Sequence, residues 1–250
     1  METIAVVSRK GGVGKTATVQ ALGAGLRRKG YKVLCIDLDS QVNLSYGFAA
    51  DMRGATIAEV LAGKVKAADA IQHTEQGDCI AGSEMLATAD TQIKAGKEYT
   101  LRNALKDLQY DYIVIDTPAQ MGSLTVQALT AATSVLVPVQ ADIYSLQGIG
   151  QLHRYIKSVK DKCNKALYIR GILITRFSGR AIISRDMQSN LEQAAEMMHT
   201  RLYSTPIREC ISMKEAQASQ QDIFTYAPRS NAAKDYNGFI DEFLETKKGV

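Results

Sequence analysis

The chain has 250 residues, 46% of them hydrophobic and 22% charged, with no Trp; this is enough for one large domain with a substantial core and is an ordinary soluble globular composition. No apolar run is long enough to span a bilayer, and the N-terminus enters an apolar stretch at Thr3, so neither a membrane span nor a signal peptide is expected. Cys35, Cys79, Cys163 and Cys210 are far apart and form no C-x-x-C pair, which argues against a disulfide framework or a zinc site and fits a reducing cytoplasm.

In chain order, Thr3–Val7 is a short apolar, β-branched run and reads as a buried strand. Lys10-Gly11-Gly12-Val13-Gly14-Lys15-Thr16 follows, and Ala17–Lys29 then carries Val19, Leu22 and Leu26 at helical spacing. Strand, glycine loop and helix form the context of a phosphate-binding loop. Glycines let successive N–H groups turn onto an anion, and the helix N-terminus adds its positive dipole end. On this reading Lys15 reaches the β- and γ-phosphates and the Thr16 hydroxyl holds Mg²⁺. The strict pattern requires glycine at position 9, where this chain has Arg9, and a second lysine, Lys10, stands at the loop entrance. The plainer alternative is a glycine-rich turn with two solvated lysines.

Lys32–Asp39 reads as a second buried strand ending in two carboxylates, Asp37 and Asp39, with Ser40–Asn43 as a polar exit loop. Short helices are expected at Ile57–Leu61 and Ala67–Ile71, a short strand at Asp78–Ala81, and helices at Glu84–Ile93 and Tyr99–Leu108. Tyr112–Pro118 is a strand closed by Asp116. Helix 124–131, strand Ser134–Val139, helix Tyr144–Val159, strand Ala166–Thr175, helix Ile182–His199, a short extended Leu202–Pro206 and an amphipathic helix Asn231–Thr246 complete the chain. The alternation predicts an α/β fold: one P-loop NTPase domain over 1–250, with a mainly parallel twisted sheet and helices on both faces. Ligands then bind at the C-terminal ends of the strands.

Asp116 fits the strand-ending aspartate that supports Mg²⁺ in phosphate-loop enzymes, often through water; alone it could equally cap a turn. Asp39, at the tip of the second strand, could position or polarise an attacking water, whereas Asp37 lies further inside and reads as structural. Charge is uneven: residues 51–150 carry a net −5, and residues 151–190 a net +7. The basic block (Arg154, Lys157, Lys160, Lys162, Lys165, Arg170, Arg176, Arg180 and Arg185) is either a polyanion surface or a solvated helix face with a basic loop.

Lys10–Thr16, Asp37-Leu-Asp39-Ser-Gln41-Val-Asn43 and Ile115-Asp116-Thr-Pro118 together resemble the deviant-Walker ATPases of the ParA/MinD group, and most of all the ParA/Soj partition ATPases. The resemblance continues through Pro138-Val-Gln140, Ser145–Gly148, Met213–Ala216 and Tyr226–Ser230, and so covers nearly the whole chain. It implies ATP and Mg²⁺ as cofactors and an ATP-bound homodimer in which Lys10 crosses to the partner's phosphates. Lys10, Lys15 and Asp39 are the implied catalytic residues. Lys10, Gly11, Gly12, Val13, Gly14, Lys15, Thr16 and Ala17 are the implied nucleotide contacts, with Pro206 and Ile207 near the adenine. Thr16, Asp39 and Asp116 are the implied metal residues.

The resemblance further implies non-specific binding of double-stranded DNA by the ATP-bound dimer, with Arg176, Arg180, Arg185 and Lys214 as candidate contacts, and stimulation by a ParB-like protein at the nucleoid. No separate N-terminal DNA-binding domain is expected. Two rivals are a MinD-like membrane-cycling regulator and a metabolic ATP-dependent enzyme on the same scaffold. The acidic polar face of the last helix, with Asp241, Glu242 and Glu245, argues against a stable membrane anchor. Ser40, Val42 and Ala119 depart from the family pattern, which there has a proline, a small residue and a second proline.

Overall fold

The computed structural model describes residues 1–88, 96–178 and 183–245, without the side chains of 143–147 and 183–187. Seven strands are β1 (Glu2–Val6), β2 (Val33–Asp37), β3 (Ile71–Thr74), β4 (Gly77–Ile80), β5 (Tyr112–Asp116), β6 (Ser134–Val139) and β7 (Tyr168–Ile174). They form one sheet in the order β3-β4-β2-β5-β1-β6-β7, parallel except for β3, which runs antiparallel to β4.

The helices that cover the sheet and frame its edges are α1 (Lys15–Arg28), α2 (Asn43–Gly47), α3 (Ile57–Leu61), α4 (Thr100–Leu105), α5 (Ser123–Ala131), α6 (Ile143–Lys162), α7 (Ile183–Met197), α8 (Ile211–Ala218), α9 (Ile223–Tyr226) and α10 (Asn231–Glu245). Central strands are apolar at nearly every position because both faces are covered. On β5, Ile113 and Ile115 face one cluster, shared with α5 (Leu124, Leu129) and α6 (Leu152, Ile156). Tyr112 and Val114 face the other, shared with α1 (Val19, Leu22, Leu26) and α10 (Tyr236, Phe239, Phe243). The expected α/β architecture is what the structure has.

Several local expectations change. Ala67–Ala70 is a 3₁₀ turn, and Ile71–Thr74 is a strand instead of the end of a helix. The β-branched Ile71 and Thr74 pair with β4, Ile71 opposite Ile80 and Thr74 opposite Gly77, and that pairing outweighs local helix propensity. Asn43 opens helix α2 instead of closing a loop. Helices α8 and α9 lie in stretches that the sequence left unassigned. The latter half of the Glu84–Ile93 helix falls outside the described residues.

The last helix is docked. Arg170 is buried, its Nη2 donates to the Phe243 carbonyl at 2.8 Å and its Nη1 donates to Glu2, while its guanidinium lies 3.8 Å from the Phe243 ring centroid. Among the described residues no helix is long and apolar enough to cross a membrane. All four cysteines are free, and burial pushes the thiols of Cys35 and Cys79 up, so both act as small apolar residues.

Strand β7 depends on a missing side chain. The Tyr203 ring lies on Gly171, where a Cβ would meet the ring's Cε2 at 2.4 Å, and that ring is held edge-on against Phe239 with centroids 4.8 Å apart. A rigid ring in a packed core cannot move aside cheaply. Gly171→Ala should therefore destabilise the fold by about 1–3 kcal/mol, read as a lower urea midpoint at unchanged m-value; an unchanged midpoint would show that the ring can repack.

Candidate functional site: a phosphate loop facing two strand-end carboxylates

Helix α1 starts at Lys15 on a left-handed Gly14 (φ 86°) with no side-chain cap and no acidic residue in its first turn. Thr18 is the first residue whose N–H bonds within the helix, to Gly14 O at 2.9 Å. The donors before it have no intrahelical acceptor and remain available to an anion. Gly12 also has positive φ (74°), which a side chain would resist.

A cavity of about 570 Å³ opens at this helix end, lined by the loop glycines, Lys15, Thr16 and Ala17 on one side and by Asp39, Gln41, Asn43 and Tyr46 on the other. Lys15 is 8% exposed although charged, which places its ammonium in the wall of the cavity and not in bulk solvent.

Parallel register supplies the floor. Val6 pairs with Asp116 and Asp37 pairs with Asp116, so β1, β5 and β2 end side by side. The Thr16 hydroxyl donates to Asp116 Oδ2 at 2.6 Å, while Asp116 Oδ1 is buried without a hydrogen-bond partner. Asp37 is spent on structure: its Oδ2 accepts the Ser45 N–H (2.9 Å) and hydroxyl (2.7 Å), and its Oδ1 accepts the Asp39 N–H (3.1 Å). Ser45 Oγ in turn accepts the Gly82 N–H at 2.7 Å. Burial, with neighbouring carboxylates adding to it and hydrogen bonds from Ser45 and Thr16 opposing it, raises both carboxyls, Asp37 to about 6 and Asp116 to about 8.

Asp39 is half-buried in the cavity wall, its Oδ1 accepting the Gln41 N–H at 3.1 Å. Val42, just beyond, adopts φ 49° as the residue that starts α2. A β-branched side chain in the left-handed region is strained by about 1–2 kcal/mol.

The two residues at the loop entrance both reach the α6 side. Lys10 Nζ lies 2.5 Å from Asp142 Oδ2, with the two side chains 40% and 33% exposed, and Arg9 Nη1 donates to Gln151. Lys10 is absent from the cavity lining. Ile207 is buried and lines a smaller cavity of about 160 Å³ next to the loop, with Met213, Lys214 and Tyr236; Pro206 is not part of that lining.

Of the candidate DNA contacts, Arg176 is bound to the loop itself (Nη1 to Gly12 O, 3.0 Å) and to Glu209 (Nη2 to Oε1, 2.7 Å). Lys214 is exposed, Arg180 lies outside the described residues, and the Arg185 side chain is likewise not described. The basic block divides: Arg170 is buried with Glu2, whereas Arg154, Lys157, Lys162 and Lys165 are exposed on or just after α6. Two further residues at the site, Thr175 and Tyr46, carried no motif that would have marked them.

The family profile described as "AAA domain" matches residues 1–169. The Soj sporulation initiation inhibitor of Bacillus subtilis is 34% identical, with 93% of this chain and 94% of that protein covered. The chain belongs to the ParA/Soj family of P-loop ATPases. The chromosome-partitioning ParA of Caulobacter vibrioides is 31% identical, covering 99% and 96% of the two chains. A crystal structure named as cobyrinic acid a,c-diamide synthase of Mycobacterium smegmatis, with bound ADP and magnesium, is 32% identical at a TM-score of 0.84, covering 100% and 96%.

The two raised carboxyls set a pH dependence. A carboxyl whose pKa is higher folded than unfolded favours the fold below its unfolded value, near 4, and loses that contribution as pH rises through its folded value. Without nucleotide the protein should therefore lose stability between about pH 4 and pH 8. Asp116→Asn should match the parent near pH 4 and below and exceed it by at least ~1 kcal/mol at pH 8.5, measured by urea unfolding; parallel pH profiles would contradict the assignment. Val42→Gly trades strain relief of about 1–2 kcal/mol against about 0.5–1 kcal/mol of chain entropy. A small net rise in the unfolding midpoint is expected, and a fall would show that Val42 is not strained.

Proposed function

We propose that this chain is an ATP-dependent dimerising ATPase of the partition type, which binds duplex DNA without sequence preference as an ATP-bound dimer and lets go after hydrolysis. The observation that carries the reading is the junction of the uncapped α1 terminus with Thr16 and the unpartnered Asp116 Oδ1. The loop N–H groups and Lys15 would bind the phosphates. Among the described residues no group of three His, Cys, Asp or Glu could hold a metal. Mg²⁺ in a phosphate site needs only one or two protein oxygens beside phosphate and water. Thr16 Oγ1 and, directly or through water, Asp116 suit that need, and the ion would neutralise charge on the β- and γ-phosphates.

Asp39, held at the cavity wall by its own turn, would orient the attacking water. Lys10 would act on the nucleotide of a second subunit. Its half-exposed ion pair with Asp142 is worth at most about 1 kcal/mol, so releasing it costs little beside the charge it would meet at a partner's phosphates. Positive charge would then reach the transition state only in the dimer.

Non-specific DNA binding is supported by the exposed lysines and arginine around α6 and by Lys214, with all of 1–250 acting as one domain. Membership of the family supports a ParB-like activator and a location on the nucleoid. The docked α10, with Tyr236, Phe239 and Phe243 buried, supports cycling on DNA rather than on a lipid surface. The rival reading as an ATP-dependent amide-forming enzyme draws on the name of the M. smegmatis structure. It requires ADP release to depend on a small acid substrate.

With Mg-ATP, Asp39→Ala should persist as a dimer by light scattering, turn over at least ~10²-fold more slowly, and be retained on random duplex DNA with a steep salt dependence. Lys10→Ala should lose turnover and dimer together. Monomeric Asp39→Ala under saturating ATP, or no retention at low salt, would overturn this reading.

A further inference from the structure

Two consecutive residues at the end of β7 grip two consecutive carbonyls of the phosphate loop. Thr175 Oγ1 is 2.6 Å from Val13 O and 3.0 Å from Val139 O. Arg176 Nη1 donates to Gly12 O at 3.0 Å, while its Nε and Nη2 reach Glu209 Oε1 at 3.2 and 2.7 Å. Thr175 is buried, and Arg176 takes φ 51°, an uncommon conformation for a residue with a long side chain.

A trans peptide is planar, and its C=O and N–H point in opposite directions. The chain has no cis bond among its described residues. A donor on the Gly12 carbonyl therefore fixes the direction of the Val13 N–H, and a donor on the Val13 carbonyl fixes that of the Gly14 N–H. Glycines at 12 and 14 leave these peptide planes free to rotate, so something outside the loop has to set them.

We propose that Thr175 and Arg176 are positioning residues that hold the Val13 and Gly14 N–H groups toward the phosphates, with Glu209 locking the Arg176 rotamer. This rests on the reading of the loop as a nucleotide-phosphate site. It assigns Arg176 to the nucleotide and not to DNA. Preset donors do not have to be reoriented when the anion arrives, so the gain falls on the phosphates that the loop surrounds and not on the base or ribose.

The test is the ratio of ADP to AMP affinity, measured by competition against a fluorescent ADP in Mg²⁺ buffer. Arg176→Ala and Thr175→Val should each lower ADP affinity by about tenfold or more and leave AMP affinity within about twofold, whereas Thr175→Ser, which keeps the hydroxyl, should retain the parent ratio. The thermal midpoint of nucleotide-free Arg176→Ala should stay near that of the parent, because the side chain is 42% exposed. An unchanged ratio in Arg176→Ala together with lost DNA retention would overturn the inference and make Arg176 a DNA contact. Equal losses for ADP and AMP would overturn it in favour of a role at the base. A parent chain that binds ADP no better than AMP would overturn the phosphate-loop reading itself.

Discussion

The site depends on parallel pairing of β2, β5 and β1 in a register that brings Asp37, Asp116 and Val6 to one level. Two carboxyls meet there in the core, and each is held differently. Asp37 is satisfied by α2 through Ser45 and by the turn at Asp39. Asp116 has one oxygen on Thr16 and one without a partner. An unsatisfied buried acceptor costs about 1–3 kcal/mol. The fold therefore keeps an uncompensated oxygen next to the loop, where a cation would satisfy it.

The loop is controlled from three directions, none of them local. From β5, Asp116 holds the first helical hydroxyl. From β7, Thr175 and Arg176 hold two carbonyls. From just before α6 and from within it, Asp142 and Gln151 hold Lys10 and Arg9. Arg9 breaks the strict glycine pattern, and in the structure it ties the loop entrance to α6. The same strand order that gathers these contacts sets the loop at the C-terminal edge of a parallel sheet, where α/β folds place their ligands.

The sheet and its helical cover were legible because both follow from periodicity: apolar runs such as Ile113–Ile115 and the Val19, Leu22, Leu26 stripe have one reading each. The loop was legible because glycine, lysine and threonine at fixed spacing have few other uses after a strand. What escaped was tertiary. Ile71–Thr74 becomes a strand only when β4 pairs with it, and Ala67–Ala70 tightens into a 3₁₀ turn before that edge. Thr175 sits in a strand-ending apolar run with nothing to mark it, and Arg176, in a basic block, read as a candidate DNA contact and not as a partner of the loop. Their roles exist only because β7 ends beside a loop some 160 residues earlier in the chain. Val42 stood out in the sequence as a departure, but its positive φ could not be read from its identity alone.

If each active site is completed by Lys10 of a second subunit, turnover cannot be a property of one chain. The most direct measurement is the ATPase rate per chain across protein concentration, from nanomolar to tens of micromolar, at saturating Mg-ATP. The account predicts a rate per chain that climbs with concentration and then levels off as dimers saturate. A rate per chain that stays flat over the whole range while the protein is monomeric would contradict it.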